Sequence, residues 1–358
     1  MLYHEALAVD RHTATVGARR DLRNRLVAGV VVALAGVVVV YLLAVRTRWG
    51  QDFENAALAG ARQHASGSRY EDADRWLNRL TAESFGVSLV VIAGVGLLRR
   101  RVLLAVCGVL TALGAVVAAR IMKGALPSRP VFGAEAVHAA RAGHVAQAAG
   151  TAATSAASAA GGAAHPAAHG APHATAAIAV ASQTTNTLPS GHTAAAMGLF
   201  FAALIVVSRR WYVPVTLLAL PGAALAGVAR VAADWHRVSD TVAADLLALA
   251  VGLLGLAVVA QIGLVRPGPR FGRSSLGQRL LYGVLLAVAT AALAVGAAYF
   301  VRYHGATSPA VRYDAAYWSA QAFALGASVA AAGVMLAVCR HLVSVGTRPP
   351  RGLTILAR

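Results

Sequence analysis

Apolar and polar positions alternate along this chain in long blocks, not in the three-to-four-residue stripe of a soluble helix. Eight blocks are apolar: Leu26–Val45, Phe85–Leu98, Val102–Ala119, Ala194–Val207, Val213–Ala229, Val242–Val265, Leu280–Val301 and Ala315–Cys339. A hydrocarbon core takes roughly 20 apolar residues per helix, so each block predicts a membrane span. The second and fourth are short, and their helices are expected to extend into the flanking loops. The predicted fold class is therefore an all-α integral membrane protein of about eight spans. Residues 1–25 form a basic tail, 26–265 carry six spans, and 266–358 carry two more spans and a basic C-terminal tail.

One stretch has no apolar period at all. Residues 131–186 form a low-complexity insert of alanine, glycine and histidine, interrupted by Pro166, Gly170 and Pro172. His165, His169 and His173 have i, i+4 spacing that would suit a metal on a helix, but the breakers argue against a continuous helix there. The reading favoured is a flexible or weakly helical insert.

Composition agrees with lipid as the solvent. The chain is 58% hydrophobic and only 13% charged, about half the charged share of a soluble domain. A net charge of +18 would suggest a nucleic-acid partner in a soluble protein. Here the arginines flank apolar runs, which speaks for membrane topology and against nucleic acid. They cluster at residues 11–25, at Arg99-Arg100-Arg101, at Arg209-Arg210, across Arg266 to Arg279 and at Arg340 to Arg358. With eight spans these junctions share one side, cytoplasmic by the positive-inside rule, and both termini lie there. Loops 46–84, 120–193 and 230–241 then lie outside. The first apolar run is too long for a cleaved signal peptide and is expected to stay as an anchor. Cys107 and Cys339, the two cysteines, sit in or beside apolar runs and make neither a disulfide framework nor a zinc site.

Polar residues collect where that outer face meets the spans, in three clusters. The first is KGALPSRP, with Lys123, Arg129 and Pro130; Lys123 is the only lysine in the chain. It serves either as a snorkelling cation at a helix end or as an anion ligand. The second is Pro189-Ser190-Gly191-His192 at the start of an apolar helix. Gly191 lets a backbone approach an anion closely, the helix N-terminus favours negative charge, and Ser190 can donate one more hydrogen bond. By itself this tetrapeptide also reads as an ordinary cap. The third is RVAADWHRVSD, with Arg230, His236 and Asp240. If the turn is helical, His236 and Asp240 share a face, and the carboxylate fixes one imidazole nitrogen while the other keeps its lone pair. A surface histidine beside a capping aspartate is the plainer alternative. Taken together, the clusters supply cations, a nucleophile and an acid, the parts that phosphoryl transfer needs.

In order and spacing these motifs resemble the type 2 phosphatidic acid phosphatase family, in its membrane lipid phosphatase branch. Its signature runs K-x6-R-P, P-S-G-H and S-R-x5-H-x3-D. The resemblance covers roughly residues 26–265 as a six-helix core. It implies that His236 is a nucleophile forming a phosphohistidine, that Asp240 orients it, and that His192 protonates the leaving oxygen and later activates water. Lys123, Arg129, Ser190, Gly191 and Arg230 would bind the phosphate, with no cofactor and no metal. The implied enzyme is a phosphoric monoester or diphosphate hydrolase in the cell membrane, its site extracytoplasmic and its substrate a lipid phosphate or diphosphate. Undecaprenyl diphosphate comes first among candidates, then phosphatidylglycerophosphate and phosphatidic acid. Two departures stand out: five residues, not six, separate Lys123 from Arg129, and Ala229 replaces the usual serine. The alternatives are a vanadate-dependent haloperoxidase, which shares the cradle, and a non-catalytic protein that binds anionic lipid. Asp245, inside the sixth span, is expected to face away from the nucleophile.

Overall fold

The computed structural model describes residues 2–64, 82–130, 186–267 and 275–344. The histidines of the insert and residues 131–185 lie outside them. The apolar blocks all become helices: α1 (Leu2–Val40), α3 (Ala82–Leu98), α4 (Val102–Ala125), α5 (Gly191–Val206), α6 (Tyr212–Ala232), α7 (Val238–Gln261), α8 (Leu276–Gly305) and α9 (Pro309–Cys339). A single π-helical turn, Tyr41–Val45, continues α1. Six of the eight are long and apolar enough to cross a membrane, so the chain reads as an all-helical, multi-pass membrane protein. The other two stay short, with 17 residues in α3 and 16 in α5. Each lengthens by a few residues at its N-terminal end, α3 to Ala82 and α5 to Gly191, where Ser190 caps α5 immediately after Pro189. A minor departure from all-α is a two-stranded antiparallel ribbon, β1 (Val265–Pro267) and β2 (Leu342–Ser344), which ties the exit of α7 to the exit of α9.

The expected outside loop 46–84 contains a helix of its own, α2 (Arg48–His64). Its residues Gly50, Phe53, Glu54, Ala57, Gly60 and Ala61 are buried and recur at helical spacing. This face lies on α9, so the C-terminal helices are packed into the assembly; α9 also contacts α6, α7 and α8.

The centre is a layer of large side chains. Met197, Phe200, Phe201 and Leu204 of α5 meet Leu253 and Leu256 of α7 and Met335 and Leu336 of α9. Small residues bring the backbones together around them. A Cβ added at Gly198 would stand 2.8 Å from the Cβ of Ala115, so α4 and α5 touch nearly backbone to backbone. That close packing fixes the end of the bundle at which α5, α6 and α7 present their polar termini.

Candidate active site

The third cluster owes its shape to the turn between α6 and α7. Asp234 adopts a left-handed conformation, φ 57°, which aspartate tolerates better than most residues. That turn lets the N–H groups of Trp235 and His236 both donate to the carbonyl of Arg230, at 3.0 and 3.2 Å. The carboxylate of Asp234 is tied by Arg62 of α2 at 2.6 Å. Helix α7 then begins at Val238, so His236 lies before the helix, not within it.

His236 and Asp240 meet nonetheless, for a different reason from shared helical face. Asp240 is the third residue of α7, and its carboxylate folds back over the helix start as half of a capping box. Its Oδ2 accepts from the Arg237 N–H at 3.1 Å, from the His236 Nδ1–H at 3.1 Å and from the Thr187 hydroxyl at 2.7 Å. With Nδ1 committed as a donor to a carboxylate, Nε2 of His236 keeps its lone pair. The imidazole is 12% exposed and the carboxylate 1%, so the aspartate is shielded and the histidine reachable.

The second cluster docks onto the same turn. The Ser190 N–H donates to the Asp240 carbonyl at 2.9 Å. Ser190 also caps α5: its Oγ accepts from the N–H of Thr193 at 3.4 Å and from the Thr193 hydroxyl at 3.1 Å. In both bonds the serine oxygen is the acceptor, which leaves its own proton to donate. A Cβ at Gly191 would meet nothing within 4 Å, so open space lies in front of the helix N-terminus. His192 follows, exposed, with Arg230, His236 and Lys123 all within electrostatic reach.

Cations surround this space. Arg230 is 1% exposed, stacks over Trp235 at 5.3 Å, and has no partner for Nε or Nη2 among the described residues. Lys123 sits in the last turn of α4, exposed. Helix α4 stops at Ala125, so Arg129 is reached through an extended segment and not along the helix. Its guanidinium is buried against Glu54 of α2, and its Nη1 has no partner among the described residues. Glu54 uses its second oxygen to accept from the Ser239 N–H at 3.2 Å. The neighbouring Arg237 is buried too; its Nη1 reaches the Thr187 hydroxyl at 3.5 Å and its Nε is unpaired among the described residues. Desolvation pulls the Arg237 pKa down, and the nearby charge of Arg129 adds to the effect.

Glu54, Thr187 and Arg237 are the site's neighbours that sequence reasoning passed over. The signal for Glu54 was present: an acid between Phe53 and Ala57 on an otherwise apolar helix stripe. Nothing local marks Thr187, whose role depends on a partner 53 residues away. Asp245 behaves as expected, pointing to α9, where the Ser328 hydroxyl donates to it at 2.7 Å.

Residues 143–263 match the family model described as the PAP2 superfamily. The chain carries a PAP2 superfamily domain. This match spans the second and third clusters and stops short of Lys123–Pro130. No curated protein and no solved structure matches the chain. The family match, over a stretch set in a bundle of apolar helices, supports a membrane protein of a phosphatase-type family. Beside these clusters lies a mainly apolar cavity of about 710 Å³. His192 and Gly191 stand in its lining with Phe85, Ile92, Leu199 and Leu218, from α3, α5 and α6.

Proposed function

We propose that this protein hydrolyses the phosphate or diphosphate of a lipid through a phosphohistidine intermediate. The observation that carries the reading is the buried guanidinium of Arg230 with two unpaired nitrogens, beside a histidine whose Nδ1 is held by a carboxylate. A buried cation without a partner is strongly disfavoured, and an anionic ligand relieves it.

The Nε2 lone pair of His236 attacks phosphorus, and the bond to the leaving oxygen breaks as the P–N bond forms. His192 delivers the proton that the leaving oxygen takes up. It then removes a proton from water, whose oxygen displaces His236 and releases phosphate. Arg230, Arg129, Lys123, the Ser190 hydroxyl and the N–H groups at the start of α5 stabilise the equatorial oxygens. The lipid tail lies in the apolar cavity that opens at His192. Undecaprenyl diphosphate is the first candidate to assay, then phosphatidylglycerophosphate and phosphatidic acid.

The site faces outward in this proposal, with both termini cytoplasmic. Support comes from the arginines: Arg99, Arg209 and Arg210 gather at the ends of α3 and α5 that lie away from His192. Phosphate release from a panel of lipid phosphates by purified protein tests the activity. No release from any of them, with head-group binding intact, would return the protein to the class of lipid binders. Maleimide labelling of single cysteines at Lys123 and Arg210 in intact cells tests the sidedness; labelling at Arg210 alone reverses it.

A further inference from the structure

A second set of cations sits at the opposite end of the bundle, around the mouth of a cavity. The cavity holds about 410 Å³. Arg99, Ser208, Arg209 and Arg210 stand in its lining, and its floor is apolar, with Val265 of β1 and Leu342 of β2 forming part of it. It is remote from the PAP2 site. Arg99 Nη1 donates at 2.9 Å to the carbonyl of Val206, the last residue of α5, whose first turn carries His192. A helix of that length places the two ends roughly 24 Å apart.

Among the described residues no carboxylate compensates these charges. Arg99 has Arg101 and Arg210 as electrostatic neighbours, and His341 has Arg340 and Arg209. No ion pair joins Arg99, Arg209 or Arg210 to a carboxylate among the described residues, and the buried Ser208 hydroxyl has no partner. The positive-inside bias requires arginines at this junction but not that they line a cavity; here Arg99 and Arg209 are partly buried beside the exposed Arg210. They flank a concave, apolar-floored space together with an unsatisfied hydroxyl. Mutually repelling cations around such a space are stabilised by an anion with an apolar stem.

We propose that this cavity is a second, non-catalytic site for a phosphate group, held by Arg99, Arg209 and Arg210 with the Ser208 hydroxyl. The apolar floor accepts the first carbons of a lipid that carries the phosphate. Because the β1–β2 ribbon forms one wall, the C-terminal helices complete the site, and its ligand braces them against the PAP2 domain.

Thermal unfolding in nanodiscs tests this. Wild-type protein is compared in phosphatidylcholine alone and with about a fifth of the lipid replaced by phosphatidylglycerol. A rise in Tm of about 2–4 °C is expected with the anionic lipid. Arg209→Gln/Arg210→Gln loses most of that rise, while Arg209→Lys/Arg210→Lys keeps it. Inorganic phosphate in phosphatidylcholine nanodiscs identifies the source. A rise with phosphate that the glutamine pair abolishes assigns the site to free phosphate, and a rise with phosphatidylglycerol alone assigns it to lipid. Ligand in the PAP2 site shifts both variants alike and cancels in the difference. Leu342→Trp fills the cavity and keeps every charge, so it too should lose the rise. Equal rises in wild type and the glutamine pair, or a full rise in Leu342→Trp, overturn the proposal and leave diffuse surface attraction. Where the double variant does not fold, Arg210→Gln alone, at an exposed position, is read by native mass spectrometry; unchanged retention of phosphatidylglycerol again overturns it.

Discussion

The Ser190 N–H donates to the carbonyl oxygen of Asp240 across 2.9 Å. This one backbone bond joins the helix that carries His192 to the turn that carries His236. It leaves both side chains free, because neither partner uses its functional atoms. The separation of the two histidine-bearing segments is thus set by main chain, the least deformable part of either element.

Replacing His236 with alanine should reduce phosphate release by about a thousandfold or more, since the proposed intermediate forms on its ring. The side chain is largely buried and donates to Asp240, so stability should also fall, by about 1–3 kcal/mol. Turnover within tenfold of wild type would remove His236 from the nucleophile's role.

Asp240→Asn keeps the shape of the cap but replaces the carboxylate that holds Nδ1–H. The rate should fall by about a hundredfold or more as the wrong tautomer becomes populated. Stability should drop by about 1–3 kcal/mol, because three donors lose a charged acceptor. An active variant with only the stability loss would make Asp240 a cap and nothing else.

Glu54→Gln should destabilise the protein by about 3–5 kcal/mol, since it leaves the buried Arg129 guanidinium without its counter-charge. The pair lies between α2 and the α7 start, so a double-mutant cycle with Arg129→Met should show strong non-additivity in unfolding. Simple additivity would mean that the two side chains stabilise the fold independently.

Gly227→Ala should impair both stability and activity. Its new Cβ would stand 2.5 Å from the Thr241 methyl and 3.5 Å from the Thr193 methyl, next door to Asp240 and Ser190. Overpacking of this kind costs about 1–3 kcal/mol. Thr241→Ala removes the nearer obstacle and should restore most of the loss in the double variant, assayed by unfolding and by phosphate release together.

Ser328→Ala should lower stability by about 1–3 kcal/mol and leave the reaction largely intact. It takes from Asp245 the hydroxyl of α9 that it accepts from, and Asp245 Oδ1 is already unpaired. A rate loss exceeding tenfold would show that α9 positions the catalytic turn as well as packing on it.

Much of the fold was legible because lipid makes the code simple. A span must satisfy its own backbone bonds and face an apolar solvent, so composition alone located all eight helices, Leu26–Val45 to Ala315–Cys339. The polar residues at helix mouths were legible for the same reason: Arg230, His236, Asp240 and Ser190 are too polar for lipid and stood out against it. Helix α2 was not. It lies among charged residues such as Asp52 and Arg62, and its apolar stripe makes sense only once α9 is there to receive it.

The sequence by itself therefore determined the apolar helices and the motifs at their mouths, since each depends on residues within one turn or one span. Tertiary structure decided how those groups are held. The His236–Asp240 contact arises from a capping carboxylate and not from a continuous helix, because Asp234 turns the chain before α7 begins. Arg129 points to Glu54, 75 residues earlier, and Thr187 to Asp240, because only the packed bundle brings those segments together. Long-range polar pairs leave no local period to read: their partners are chosen by where helices end, and that is settled by packing.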